Sequence, residues 1–151
     1  MMSRLGDERG RAVLREHETI FRNALKQHGG TELKTAGDGF MASFRSVTKA
    51  IECAVAFQRA FAEREGEPLS VRVGLNAGEP IEEEGDFFGA TVILASRIAD
   101  KAEGGEILVS DVVRQLVAGK GFLFNDRGDH PLKGFEDPVR VFEVRWQDVD
   151  N

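Results

Sequence analysis

The stretch Thr31-Glu32-Leu33-Lys34-Thr35-Ala36-Gly37-Asp38-Gly39-Phe40-Met41-Ala42-Ser43-Phe44 decides how this chain folds. Two short runs with strand character flank Ala36-Gly37-Asp38-Gly39, and an Asp-Gly step between extended segments predicts a hairpin with Asp38 at its tip. Upstream, Val13, Leu14, Ile20, Phe21, Ala24 and Leu25 recur at spacings near three and four until Gly29-Gly30 stops the run. That period predicts a long amphipathic helix, opened by Asp7 as a side-chain cap and Glu8 near the positive helix end. Downstream, Ala50, Ile51, Ala54, Val55, Phe57, Ala60 and Phe61 predict a second helix over about 47–65, with Cys53 on it.

Further along, residues 69–75 alternate so that Leu69, Val71, Val73 and Leu75 share one face of a strand. Its partner is expected at 79–84, a run too acidic to be central and better suited to an exposed edge or arm. Gly85-Asp86-Phe87-Phe88-Gly89 reads as a loop, and 90–101 repeats apolar residues at helical spacing. A strand at 106–110, a helix capped by Ser110 or Asp111 and running to Val117, and strands near 122–124 and 140–144 complete the chain. Asp129-His130-Pro131-Leu132-Lys133-Gly134 lies between the last two. Helices alternate with strands throughout, which gives an α/β or α+β class with a sheet covered by helices.

The 151 residues fit one domain, 1–151, able to bury roughly 68–70% of its unfolded surface. Lys and Arg number 20 against 26 Asp and Glu, and the resulting net charge of -6 argues against a broad nucleic-acid surface. No apolar stretch approaches the length of a membrane span, and the first residues lack the apolar core of a signal peptide, so no membrane contact and a cytoplasmic location are expected. Cys53 is the single cysteine, which excludes an internal disulfide and fits a reducing compartment.

Several residues could carry chemistry. Asp38, between glycines at a hairpin tip, suits a hard divalent cation, and Asp-Gly equally well satisfies a turn. Lys34 reads as a strand lysine, Asp86 as turn chemistry, and Lys133 before Gly134 as a loop cation able to reach a phosphate. Arg97 sits among Val92, Leu94, Ala95 and Ile98, closer to a buried face than an arginine usually lies, although snorkelling would explain it. His17, His28 and His130 are too scattered for a metal triad, and no phosphate loop or nucleophile elbow is present.

The order of these signals is more specific than any one of them. Residues 34–44, then Val71-Arg72-Val73-Gly74-Leu75-Asn76-Ala77-Gly78, then Asp86-Phe87-Phe88-Gly89 with Ala95-Ser96-Arg97-Ile98, then Leu132-Lys133-Gly134, closely resemble the class III nucleotide cyclase homology domain over residues 5–144. The resemblance implies a ferredoxin-like α+β fold, a mixed sheet covered by helices, and conversion of ATP or GTP to the 3′,5′-cyclic nucleotide and pyrophosphate. It also implies two domains meeting head to tail, with sites at the dimer interface.

In that family two aspartates hold two Mg²⁺ or Mn²⁺ ions, and Asp38 matches the second. Lys34 and Asp86 match the pair that reads adenine: a lysine donates to N1 and a carboxylate accepts from the exocyclic amine, whereas guanylate cyclases usually carry Glu and Cys. Arg97 matches the arginine that stabilises charge on the α-phosphate, a kind of donor whose loss costs ~10²–10³ in rate. Lys133 matches the lysine on the terminal phosphates.

Two departures stand out. Ile93 replaces the asparagine that usually orients the ribose. No residue matches the first metal aspartate, which lies on an opening strand ahead of the long helix. The expectation is therefore an N-terminally shortened domain, weakly active or inactive as it stands, belonging to a competent ATP cyclase and assembling as a homodimer or swapped dimer. A degenerate domain retained for dimerisation or nucleotide sensing is the alternative.

Overall fold

The computed structural model describes residues 7–36, 39–63, 71–78, 81–83, 86–88 and 90–147. Helix α1 (Asp7–His28) leads into the antiparallel hairpin β1 (Thr31–Ala36) and β2 (Gly39–Ser43). Helix α2 (Val47–Glu63) and strand β3 (Val73–Leu75) follow, then a second hairpin, β4 (Ile81–Glu83) with β5 (Asp86–Phe88). Next come α3 (Ala90–Lys101), β6 (Ile107–Ser110), α4 (Asp111–Leu116), β7 (Phe124–His130) and β8 (Val139–Val144).

The central sheet has the order β3-β6-β8-β7, with β3 and β6 parallel and the other pairs antiparallel. It is the mixed sheet of an α+β fold. Strand β6 explains its own position: Ile107-Leu108-Val109-Ser110 is apolar on both faces until its last residue, and all four are buried. Ile107 and Val109 pack with Ile51 and Ala54 of α2, Val113 of α4 and Phe142 and Val144 of β8. Leu108, on the opposite face, packs with Ile98 of α3, Ala102 just beyond it, Leu132 and Val141. The sheet therefore has helices on both sides. Helix α1 adds a further layer, its Ala24 and Leu25 packing with Cys53, Phe57 and Phe61 of α2 and with Ala42 and Phe44 near the first hairpin.

Gly74 sets how closely α3 lies on β3. A Cβ at this position would stand 2.4 Å from Ala99 N and 2.7 Å from both Ala95 O and Ala99 Cα, so helix backbone rests on strand backbone. The flanking Val73 and Leu75 point the other way, into the α2 side of the core, as the alternation expects.

Three expectations need correction. The partner of β3 among the described residues is β6, whereas β4 pairs with β5 as a separate two-stranded arm. Residues 86–88, expected as loop, form the second strand of that arm, with Asp86 opposite Glu83. The strand expected near 122–124 begins at Phe124 and runs to His130, taking in Asp129 and His130. Among the described residues it is a polar edge strand with one neighbour, its register shifting between Asp126 and Asp129 where Asp126 accepts from the Gly128 N–H. Arg127 ties it to Glu106 at 2.7 Å and Glu143 at 3.1 Å, and Arg140 pairs with Asp126. The second helix ends at Glu63 within the described residues, and Leu69 lies outside them.

Two outcomes follow from this packing. Gly74→Ala should lower stability by about 3 kcal/mol, because backbone cannot move aside as a side-chain tip can; urea unfolding of the two proteins measures it. Burial pushes the Cys53 thiol up to about 11, so the folded protein should resist alkylation at pH 8 and react once urea unfolds it.

Candidate functional site

Arg97 owes its position to the residues around it on α3. Ile98 is fully buried, Leu94 packs on the same cluster, and Arg97 lies at the margin of that stripe. Its side chain is 35% exposed, which places the guanidinium at the boundary between the packed face and solvent. There Nε donates to the backbone carbonyl of Lys133 at 3.3 Å, and Nη1 lies 4.0 Å from the exposed carboxylate of Asp100. A fork whose Nε is held by a main-chain oxygen is fixed in direction while its outer nitrogens remain on the solvent side.

Lys133 is placed by its neighbours too. Leu132 is buried against Ile98, Leu108 and Val141, and Phe135 packs on the same cluster. The Phe135 N–H donates to the Leu132 carbonyl at 3.0 Å across a tight turn, with Gly134 at φ 89°, the backbone that the third position of a type II turn requires. Two apolar anchors point inward and Lys133 between them is exposed. Residues 36 positions apart thus meet at one point: the carbonyl of one cation's residue holds the other cation's fork.

The other expected site residues are placed only through their backbone. Lys34 lies in β1 opposite Met41, just after a register shift between Glu32 and Lys34 that moves it one position from an unbroken ladder. Asp86 opens β5. The side chains of both lie outside the described residues, as does Asp38, although Ala36 and Gly39 on either side of the hairpin tip are paired as expected. Ile93, one turn before Arg97, is 46% exposed. Among the described residues no group of three or more His, Cys, Asp or Glu could hold a metal ion, so the metal expectation rests on Asp38.

Asn76, given no role by the sequence, and Ser110, expected only as a helix cap and found capping α4, belong to the same neighbourhood. Asn76, just beyond β3, donates from Nδ2 to the Thr91 carbonyl at 3.2 Å, and the Ser110 hydroxyl donates to Asn76 Oδ1 at 2.7 Å. The available signal was a polar residue at the exit of an apolar strand, Leu75-Asn76-Ala77, and a serine closing Ile107-Leu108-Val109. A separate surface recess of about 240 Å³ is lined by Glu103, Glu106, Asn125, Glu143 and Trp146 among others, and includes none of the expected site residues. Its three carboxylates make it a poor place for a phosphate.

The arrangement brings together two cationic residues of different kind, an arginine whose Nε is held by a main-chain carbonyl and a lysine with an exposed side chain. A chain of phosphates presents charge in that form, with one phosphorus reacting and others needing only to be held. No described helix is long and apolar enough to cross a membrane.

Comparison with known proteins identifies the family. A Rhizobium meliloti protein provisionally named adenylate cyclase 3 is 36% identical over 129 residues, covering 82% of this chain and 22% of that protein. An adenylate cyclase of Podospora anserina is 27% identical, covering 89% of this chain and 9% of that protein, so the chain spans less than a quarter of either relative. Among solved structures, an adenylate/guanylate cyclase/hydrolase from Silicibacter pomeroyi superposes with a TM-score of 0.84 at 32% identity, covering 95% of this chain and 88% of that one. The adenylyl cyclase CyaB from P. aeruginosa gives 0.79 at 25% identity, covering 93% and 84%. The model of the adenylate and guanylate cyclase catalytic domain matches residues 3–145, and the chain belongs to that family.

Proposed function

We propose that this domain catalyses conversion of ATP to 3′,5′-cyclic AMP and pyrophosphate for signalling. The observation that carries the reading is the hydrogen bond from Arg97 to the Lys133 carbonyl, which keeps two cationic residues adjacent and supports a role on a triphosphate. In the reaction the ribose 3′-oxygen forms a bond to the α-phosphorus, its proton leaves, and the bond from the α-phosphorus to the bridging oxygen breaks to release pyrophosphate. Arg97 would meet the charge that grows on the α-phosphate oxygens, and its prior fixation by a backbone carbonyl means little reorganisation accompanies the step. Lys133, on its exposed turn, would hold the terminal phosphates and then the leaving pyrophosphate.

The choice of ATP over GTP rests on Lys34 and Asp86, a donor for adenine N1 and an acceptor for its amine. Cyclase domains generally use divalent metals; Mg²⁺ or Mn²⁺ bound through Asp38 would acidify the 3′-hydroxyl and neutralise phosphate charge. We place the active form in the cytoplasm as a homodimer or swapped assembly of this single domain, with nucleotide as ligand and no role for nucleic acid or membrane in this part of the protein.

A second reading has one observation of its own. Ile93 exposes an apolar side chain one turn from Arg97, where a ribose-orienting group would be expected, and this favours a domain that binds nucleotide or a partner without turnover. Cyclic AMP formation by the full-length polypeptide with Mn²⁺ separates the two. The catalytic reading expects product, a loss of ~10²–10³ in rate for Arg97→Ala with unfolding midpoint unchanged, and weakened ATP use when Lys34→Glu is combined with Asp86→Cys. Ile93→Asn should raise the rate by roughly tenfold, the kinetic equivalent of one net hydrogen bond. No product from a dimeric full-length protein that still binds a non-hydrolysable ATP analogue would favour the second reading.

A further inference from the structure

Parallel strands β3 and β6 end side by side, and a hydrogen-bonded chain crosses between their ends. Val113 N–H donates to Ser110 Oγ at 3.4 Å, capping α4; the Ser110 hydroxyl donates to Asn76 Oδ1 at 2.7 Å; Asn76 Nδ2 donates to the Thr91 carbonyl at 3.2 Å. Each link has only one workable direction, since an N–H can only donate and a carbonyl can only accept. Ser110 is 3% exposed, so water does not compete for its hydroxyl. The Asn76 amide is thereby locked in one orientation, and its nitrogen grips the second residue of α3.

That grip falls on the first turn of α3, ahead of the buried Ile98 that seats the middle of the helix. The bare contact of Gly74 with Ala95 and Ala99 fixes how near α3 lies to β3, Leu94 and Ile98 seat its inner face, and the Asn76 bond adds a directional hold at its first turn. A side-chain tip lies about 6 Å from a helix axis, so a rotation of about 10° moves it by about 1 Å, and a misplacement of that size can cost about 10²-fold in rate. Gly78 gives a second contact at the same end, for a Cβ there would lie 2.6 Å from Thr91 Oγ1. We infer that Asn76 is a positioning residue: its amide, oriented by Ser110, holds α3 in the rotation that brings the Arg97 fork to the Lys133 carbonyl. The effect on rate rests on the catalytic reading above, whereas the effect on Arg97 does not.

The test uses Asn76→Asp in the full-length protein, which preserves shape and the acceptor for Ser110 while setting a carboxylate oxygen against the Thr91 carbonyl. Two readouts are followed: the ¹⁵N resonance of Arg97 Nε–H, and cyclic AMP formation alone and combined with Arg97→Ala. The Arg97 signal should shift or broaden, the rate should fall about 10²-fold, and Asn76→Asp should cost nothing further once Arg97 is gone. An unmoved Arg97 signal, or a rate loss that multiplies in full with that of Arg97→Ala, would overturn the inference in favour of a merely structural role. If Asn76→Asp fails to fold, Ser110→Ala frees the amide without adding charge and should give about a tenfold loss with the same non-additivity; full additivity there overturns it as well. If the unmodified protein makes no cyclic AMP, the catalytic reading fails, and the Arg97 resonance alone still decides the role of Asn76.

Discussion

The contact on which the rest of this structure depends is made by a residue with no side chain. Gly74 lets the backbone of α3 lie directly on β3, with Ala95 and Ala99 as the facing residues. Interiors are packed too tightly for such a contact to stretch by a methyl group without moving the whole element. Because α3 also carries Leu94 and Ile98 into the cluster with Leu108, Leu132 and Val141, its position is registered against the sheet and against the loop that holds Lys133. Arg97 rides on the margin of that helix. The hydrogen bond from its Nε to the Lys133 carbonyl therefore depends on packing at Gly74 and Leu132, together with the Asn76 hold inferred above.

This arrangement resolves an apparent conflict in the composition. A chain with a net charge of -6 is a poor general binder of polyphosphates, since its long-range field repels them. A cyclase catalytic domain needs few cations if each is aimed. Arg97 is aimed by a backbone carbonyl and Lys133 by the two apolar anchors beside it. The acidic excess is partly spent elsewhere on the fold, as where Glu106 and Glu143 share Arg127 to secure the polar edge strand β7.

The helices and the first hairpin were legible in the sequence because their signals are local: periodic apolar residues for α1, α2 and α3, and Asp-Gly between extended runs for β1 and β2. The central strand β6 was legible for the same reason, as a short apolar run ending in a capping serine. Strand β7 was not, because Asn125, Asp126, Arg127, Gly128 and Asp129 look like loop residues and become a strand only through β8 and ion pairs with Glu106, Glu143 and Arg140. Residues 86–88 were hidden similarly, since flanking glycines suggest a turn and the pairing with β4 is a tertiary fact. At the site, residue types and their order pointed to Arg97 and Lys133. That they touch through a main-chain carbonyl, and that Asn76, held by Ser110, braces the same helix, depends on contacts between residues 15 to 36 positions apart, beyond any local pattern.

The central claim is that packing on Gly74 and Leu132 delivers Arg97 and Lys133 to a nucleotide triphosphate as a prearranged pair. A crystal structure of the full-length protein with a non-hydrolysable ATP analogue and Mn²⁺ tests it most directly. The account predicts the Arg97 guanidinium on the α-phosphate and the Lys133 ammonium on the terminal phosphates, with α3 in the place it occupies here. Nucleotide bound with its phosphates away from both residues, Arg97 still held on the Lys133 carbonyl, would contradict it.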